Sequence, residues 1–105
     1  MSGCNTVWCL VLPRVKVVLF AVFREAAGWR EKEVDVEDGV TVGELVDRVF
    51  KDNPKLREVV EEFKRRGFNY IVLVNGRHVD YLENQWNYRL REGDRIAILP
   101  PAGGG

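Results

Sequence analysis

The sequence predicts a single α+β domain, a mixed sheet of about five strands with two helices packed on one face. Apolar residues recur at every second position near both ends of the chain, at 15–23 and 95–99, as in strands that bury one face. Between them, the stretches 42–50 and 56–63 repeat apolar residues with helical spacing. The length of 105 residues suits one domain.

The first strand is predicted at Val15–Phe23. One face carries alternate residues of this run: Val15, Val17, Leu19, Ala21 and Phe23. The other face carries Lys16, Val18, Phe20 and Val22. This second face is too apolar to be an ordinary solvated one, so we expect it either to be buried as well or to form a docking patch. After a connection at Arg24–Gly28, Arg30–Val36 is predicted to pair with the first strand as a hairpin.

Two helices follow a turn at Glu37–Gly39. Thr41 and Glu44 have the spacing of a capping box, so the first helix should begin there. Its apolar stripe is Val42, Leu45, Val46, Val49 and Phe50. Asn53-Pro54 interrupts the pattern, and a second helix repeats it with Leu56, Val59, Val60 and Phe63. The basic triplet Lys64–Arg66 complements the dipole at the end of that helix, which we prefer to a binding patch.

Three further strands complete the predicted sheet. Tyr70–Val74 is a nearly continuous apolar run, typical of a buried strand. Asn75-Gly76 predicts a type I′ turn into a short partner strand at Arg77–Asp80. Residues 81–90 are predicted to be irregular. The turn Glu92–Asp94 then leads into Arg95–Leu99, where Ile96 and Ile98 face one way and Ala97 and Leu99 the other.

The chain ends in a tail without functional side chains, Pro100–Gly105. Two prolines end the preceding strand and act as a stiff spacer. The six residues can reach roughly 20 Å from the domain. The distinctive group at the tip is the carboxylate of Gly105, which becomes an acyl donor once it is activated as an adenylate. Glycines allow the backbone to pass through a channel too narrow for side chains. A flexible chain end or a cloning remnant is the competing interpretation.

Composition argues against several classes of function. Sixteen basic and sixteen acidic residues cancel, so no overall field favours nucleic acid or an anionic membrane, and we expect neither partner. The only cysteines, Cys4 and Cys9, and the only histidine, His78, have no zinc-binding spacing. We therefore expect no metal site. The apolar run 7–12 is too short to span a bilayer and no basic segment precedes it, so we expect a cytoplasmic protein.

These observations divide the chain into three parts. Residues 1–14 are an N-terminal extension, uncharged as far as Arg14, that either frays or adds an edge strand. Residues 15–99 form the domain, and residues 100–105 form the extended tail ending in Gly-Gly. The predicted arrangement is that of the β-grasp, or ubiquitin-like, fold: a hairpin, helices that cross it, and a last strand beside the first.

The residues resemble the MoaD/ThiS family of sulfur carriers over positions 15–105. Four segments carry the resemblance: Lys16–Ala21 followed by Arg24-Glu25, the helix start Thr41-Val42, the turn Val74–Gly76, and Gly93–Gly105. The last segment is the most specific, because it joins Gly-Asp, an apolar strand, Pro-Pro and a terminal Gly-Gly. The MoaD branch, the small subunit of molybdopterin synthase, is the most similar.

The resemblance implies a chemistry centred on Gly104 and Gly105. A ubiquitin-activating-type, ATP-dependent enzyme would adenylate Gly105, and a persulfide donor would convert it to a thiocarboxylate. The large subunit of molybdopterin synthase would then bind the tail and transfer its sulfur to a cyclic pyranopterin. The chain would be the non-catalytic, sulfur-carrying subunit, with the active site on the large subunit and no cofactor bound by the chain itself.

The resemblance also implies a docking surface at the root of the tail. The family docks through apolar residues whose positions here are Phe20, His78 and Leu99, although an apolar residue is usual at the position of His78. The tail residues Pro100, Pro101, Ala102 and Gly103 would enter the partner's active site.

Three other functions share parts of this pattern. The first is a ubiquitin-like modifier joined through Gly105 to target lysines, because one activated acyl group can meet sulfide or an amine. Thiamine-type sulfur carriage is disfavoured by the second helix, since those carriers are usually shorter. The last is a β-grasp module that binds without covalent chemistry, since fold alone does not determine activity.

Overall fold

A computed structural model describes residues 12–101, and five strands and three helices lie within that range. The strands are β1 (Arg14–Leu19), β2 (Glu31–Asp35), β3 (Ile71–Val74), β4 (Arg77–His78) and β5 (Arg95–Leu99). The helices are α1 (Ala21–Ala27), α2 (Val42–Asp52) and α3 (Pro54–Arg65).

The strands form one mixed sheet in the order β2-β1-β5-β3-β4. Strand β5 pairs with β1 in parallel and with β3 antiparallel, while the other neighbours are antiparallel. The last strand therefore lies in the middle of the sheet, so the tail leaves from its centre rather than from an edge. The predicted α+β class with a mixed sheet of five strands is confirmed.

The core lies between one face of this sheet, called the inner face, and the helices. Its most completely buried residues alternate as predicted in two strands, Val15, Val17 and Leu19 in β1 and Ile96 and Ile98 in β5. In β3, whose faces were not predicted, the buried residues are Val72 and Val74. The predicted stripe of α2 is buried in full, and Leu56 and Val60 of α3 join it. Burial of these side chains, at roughly 25 cal/mol per Å² of apolar area, is the main source of stability.

The predicted capping box at the start of α2 is confirmed. The Thr41 hydroxyl accepts a hydrogen bond from the Glu44 N–H at 3.2 Å, and the Thr41 N–H donates to Glu44 Oε1 at 3.0 Å. At the end of α3, Arg65 and Arg66 both pair with Glu62. This pairing agrees with the interpretation of the basic triplet as a helix-end feature.

The prediction of a strand continuing to Phe23 is wrong. Strand β1 stops at Leu19, and the segment predicted as strand end and connection forms helix α1. The turn occurs at Ala21, whose φ of +53° lies in the left-handed region and costs roughly 1–2 kcal/mol for a residue with a Cβ. Ala21 is therefore exposed instead of facing the core. Phe23 is fully buried, as predicted, but it reaches the core from α1, where it packs edge-on against Phe63.

The hairpin after β3 has the predicted turn. Asn75 and Gly76 have φ values of +54° and +84°, as a type I′ turn requires. Its second strand is shorter than predicted, because the chain passes into a 3₁₀ turn at Val79–Tyr81. A second 3₁₀ turn at Gln85–Asn87 lies in the stretch predicted to be irregular.

Candidate functional site

The tail begins where β5 ends. Leu99 is half-buried, and Pro100 and Pro101 continue from it, also half-buried. The predicted site residues Ala102, Gly103, Gly104 and Gly105 lie outside the described residues. The structure thus gives the root of the tail and its surroundings.

Asp94 holds the start of β5, and therefore the tail strand, in register. Its carboxylate is buried and accepts hydrogen bonds from Asn75 Nδ2 at 3.0 Å and from the backbone N–H of Arg91 at 2.9 Å. The Tyr88 hydroxyl donates to the same carboxylate at 3.4 Å. Asn75 in turn accepts from the Arg95 N–H at 2.9 Å. The Asn75 side chain, in the β3–β4 turn, thus connects that hairpin to Asp94 and to Arg95, the first residue of β5.

Burial, with the negative charge of Asp94 as the next cause, raises the pKa of the Tyr88 hydroxyl above its usual value. The hydroxyl therefore stays protonated at neutral pH. It can serve as a donor to Asp94 throughout the physiological range.

We expect Asp94→Ala to lower the free energy of unfolding by about 2–3 kcal/mol, because it removes a buried carboxylate that accepts hydrogen bonds from Asn75 Nδ2 and from the Arg91 N–H. In a domain of this size the melting temperature should fall by roughly 10–20 °C. Urea denaturation measures the change. The control, Asp80→Ala, removes an exposed carboxylate and should stay within about 0.5 kcal/mol of the unsubstituted protein. Equal stability of the two variants would contradict the role given to Asp94.

The sheet face opposite the core, called the outer face, is apolar around the root of the tail. Strand pairing aligns Val18, Ala97, Leu73 and His78 in one row across four strands. The next row towards the tail contains Leu99 and its pairing partner Ile71. Because Leu19 pairs with Ile98, Phe20 follows β1 at the level of Leu99. Together these residues form the outer patch: Val18, Phe20, Ile71, Leu73, His78, Ala97 and Leu99.

The structure brings the three predicted docking residues onto this one surface. Phe20 is 40% exposed and Leu99 and His78 are half-buried. His78 lies three strands from β1, about 14 Å at the usual spacing between strands. Sequence reasoning missed Ile71 and Leu73, which fill the gap between Leu99 and His78. Every residue of β3 is apolar, so no alternation of apolar and polar residues shows on which face of the sheet Ile71 and Leu73 lie.

His78 has a defined orientation at the edge of the outer patch. Its Nδ1 accepts a hydrogen bond from the Asp80 N–H at 3.0 Å, so the proton of the neutral ring is on Nε2. The ring meets that of Tyr81 edge-on, with centroids 6.1 Å apart. His78 lines a cleft of about 450 Å³ together with Ile71, Lys64 and Asp80. A polar group therefore borders the apolar surface at this corner.

In the range 12–101, no three His, Cys, Asp or Glu side chains lie close enough together to hold a metal ion. No helix of that range has the length and apolar character needed to cross a membrane.

Fold and tail together define the class of protein. The mixed sheet with its last strand at the centre, and helices on one face, is the ubiquitin-like β-grasp fold, here extended by a tail that ends in glycines. The chain belongs to the ThiS family, whose model matches residues 17–105. The family resemblance inferred from the residues is thereby confirmed.

Relatives of two kinds are similar to this chain. A molybdopterin synthase sulfur carrier subunit of Chlamydomonas reinhardtii is 29% identical over 92 residues, covering 88% of this chain and 99% of the relative. Small archaeal modifier protein 1 of Haloferax volcanii is 35% identical over 91 residues, covering 83% and 95%. The solution structure of small archaeal modifier protein 1 from Methanosarcina acetivorans superposes with a TM-score of 0.69 at 28% identity, covering 90% of this chain and 99% of that one.

Proposed function

We propose that this chain is a sulfur carrier for molybdopterin synthesis that works through the carboxylate of Gly105. Adenylation by a ubiquitin-activating-type enzyme consumes ATP and releases pyrophosphate. The terminal sulfur of a donor persulfide then displaces AMP to give an acyl disulfide, and a second thiol reduces it, which releases the thiocarboxylate and leaves a disulfide between the donor and that thiol. This species gives its sulfur to a cyclic pyranopterin in the active site of the large subunit of molybdopterin synthase.

The observation that carries the proposal is the position of the outer patch at the root of a central, glycine-ended tail. A partner that covers Phe20 and Leu99 has the tail running directly into it, because Leu99 is the last residue of β5. An exposed aromatic residue beside an aliphatic one is a common centre of binding energy. The similarity to molybdopterin synthase carrier subunits favours this partner.

A second candidate is a ubiquitin-like modifier whose Gly105 is joined to lysines of other proteins. The similarity to small archaeal modifier proteins favours it. The first chemical step is common to both functions, since each needs an activated carboxylate at the same atom. The two functions differ in the nucleophile that attacks the acyl-adenylate, which is a persulfide for the carrier and a lysine amine for the modifier.

Intact-mass spectrometry after incubation with ATP, the adenylating enzyme and a persulfide donor distinguishes the candidates. We expect a mass increase equal to the exchange of one oxygen for sulfur, located by fragmentation at Gly105. Isopeptide adducts on other proteins, without the exchange, would favour the modifier. A chain left unmodified by an adenylating enzyme that is active on a known carrier would contradict both.

A further inference from the structure

The basic triplet at the end of α3 points in two directions. Arg65 and Arg66 both pair with Glu62, on their own helix. Lys64 belongs to none of the ion pairs among residues 12–101. Its ammonium group lies over the ring of Tyr70 instead, 5.4 Å from the ring centre. The charge of Lys64 is therefore held next to the start of β3, where it does not serve the end of its helix.

Lys64 and two other hydrogen-bond donors line the cleft at the corner of the outer patch. This cleft contains Ile71 and His78, which belong to the outer patch as well, and Trp86. Because His78 Nδ1 accepts from the Asp80 N–H, the neutral ring offers its Nε2–H as a donor. No hydrogen bond among residues 12–101 uses that Nε2–H, the Lys64 ammonium group or the Trp86 indole N–H. The cleft therefore brings together three donors that no acceptor of the described residues engages.

The charges around the cleft favour a negatively charged occupant. Lys64 is positive, and the opposing carboxylate of Asp80 approaches the His78 ring at Nδ1, with Oδ2 3.7 Å away. The Asp80 side chain is 65% exposed, so water screens its charge. Burial, with the negative charge of Asp47 as the next cause, raises the pKa of the Tyr70 hydroxyl, which therefore adds no second negative charge at neutral pH. A carboxylate can accept from Lys64 and from His78 Nε2–H together.

We propose that an Asp or Glu side chain of the large subunit enters this cleft and is bound there by Lys64 and His78 when the outer patch docks. The placement rests on the proposed function, because the large subunit is the partner assigned to the outer patch. Ile71 pairs with Leu99 and also lines the cleft, so a partner that covers the root of the tail has its edge over Lys64. A charged contact at the rim of an apolar interface fixes the partner's orientation and disfavours partners without the matching charge.

Substitutions on the two sides of the cleft test the sign of the occupant's charge. Lys64→Gln should weaken binding to the large subunit about tenfold, and Asp80→Asn should strengthen it about twofold by removing a competing negative charge. Titration calorimetry measures both effects. The control Lys55→Gln, the same change in the first turn of the same helix and outside the cleft, should bind within about twofold of the unsubstituted chain. Opposite signs at Lys64 and Asp80 would overturn the proposal, because the occupant would then be a cation.

Two substitutions of His78 separate its donor from its apolar contact. His78→Gln keeps an N–H donor near the position of Nε2 and should bind within about twofold of the unsubstituted chain. His78→Leu keeps an apolar surface but loses the donor, and should bind about fivefold more weakly. Equal or tighter binding of the leucine variant would remove His78 from the carboxylate site and leave it as a residue of the apolar patch.

Carbodiimide cross-linking of the mixed subunits identifies the partner group directly. The reagent joins an amine to a carboxylate that touches it, with loss of water, and mass spectrometry locates the new amide. We expect Lys64 to be joined to an Asp or Glu side chain of the large subunit, and Lys55 to form no such link. Links from Lys64 to carboxylates of its own chain alone would contradict the proposal.

The outcomes separate this site from the proposed function. Binding that is unchanged by Lys64→Gln but weakened by Phe20→Asp would overturn the carboxylate site and leave the docking of the large subunit standing. Failure of the unsubstituted chain to bind the large subunit would overturn both.

Discussion

Deletion of Gly105 is expected to lower the rate of acyl-adenylate formation at least about 1,000-fold while leaving the melting temperature unchanged. One residue shortens an extended tail by about 3.3 Å, and misplacement of a reacting atom by 1 Å can cost about 100-fold. The fold should not respond, because the buried core cluster of the described residues lies between Val15 and Ile98 and includes neither Pro100 nor Pro101, the two tail residues that the structure describes. ATP–pyrophosphate exchange with the adenylating enzyme measures the effect.

Adding one alanine after Gly105 tests the same point in the opposite direction. The carboxylate then lies one residue too far out and carries a methyl group where only glycine is expected to pass. The control is a chain with one alanine added before Met1, which changes the size equally and should react normally. Normal sulfur transfer by the chain extended after Gly105 would contradict the central role of that carboxylate.

Much of the fold could be predicted because local signals and packing agree. The capping box at Thr41, the stripe of α2 and the Asn75-Gly76 turn each depend on residues within a few positions of one another. Each of these signals also places apolar side chains in the same core. Where local signals and packing agree in this way, the structure can be predicted from the sequence. The prediction that the last strand lies beside the first followed from the likeness to the β-grasp arrangement more than from any local pattern, and its place at the centre of the sheet was not predicted.

Helix α1 was missed because two periodicities overlap at Phe23. Period two continues the strand pattern of β1 through Phe23, while Phe23, Ala26 and Ala27 have the helical spacing i, i+3, i+4. Gly28, with a φ of +85°, closes the helix by donating its N–H to the Arg24 carbonyl. Ala26 and Ala27 favour a helix and Gly28 is a usual residue just past a helix end, so these three residues were the available signal for α1. The left-handed conformation of Ala21 gives no comparable signal, because alanine seldom adopts it.

The outer patch, the proposed docking surface, was predictable in part, for a related reason. Period two places Phe20 and Leu99 away from the core, but their adjacency depends on β1 and β5 pairing in parallel, which no local pattern encodes. The structure adds Ile71 and Leu73 by the same pairing. Long-range register therefore converts scattered apolar residues into one surface.

Phe20→Asp should weaken binding to the large subunit at least about 100-fold, or roughly 3 kcal/mol. The ring is 40% exposed beside Leu99, and a partner that covers it would have to bury an unpaired carboxylate instead. Titration calorimetry of the two subunits measures the loss. The control, Asn87→Asp, adds the same charge at an exposed position in the loop between β4 and β5 and should bind normally.

Stability should change little in this variant, which separates a docking role from a core role. Phe20 occupies the N-cap position of α1, with φ −125° and ψ 150° and no side-chain capping bond. Aspartate is among the preferred N-cap residues, and its capping bond contributes about 1 kcal/mol that offsets the packing lost with the ring. We therefore expect the free energy of unfolding to stay within about 1 kcal/mol of its original value. A loss above about 3 kcal/mol, the range of large-to-small core substitutions, would place Phe20 in the core and remove it from the docking surface.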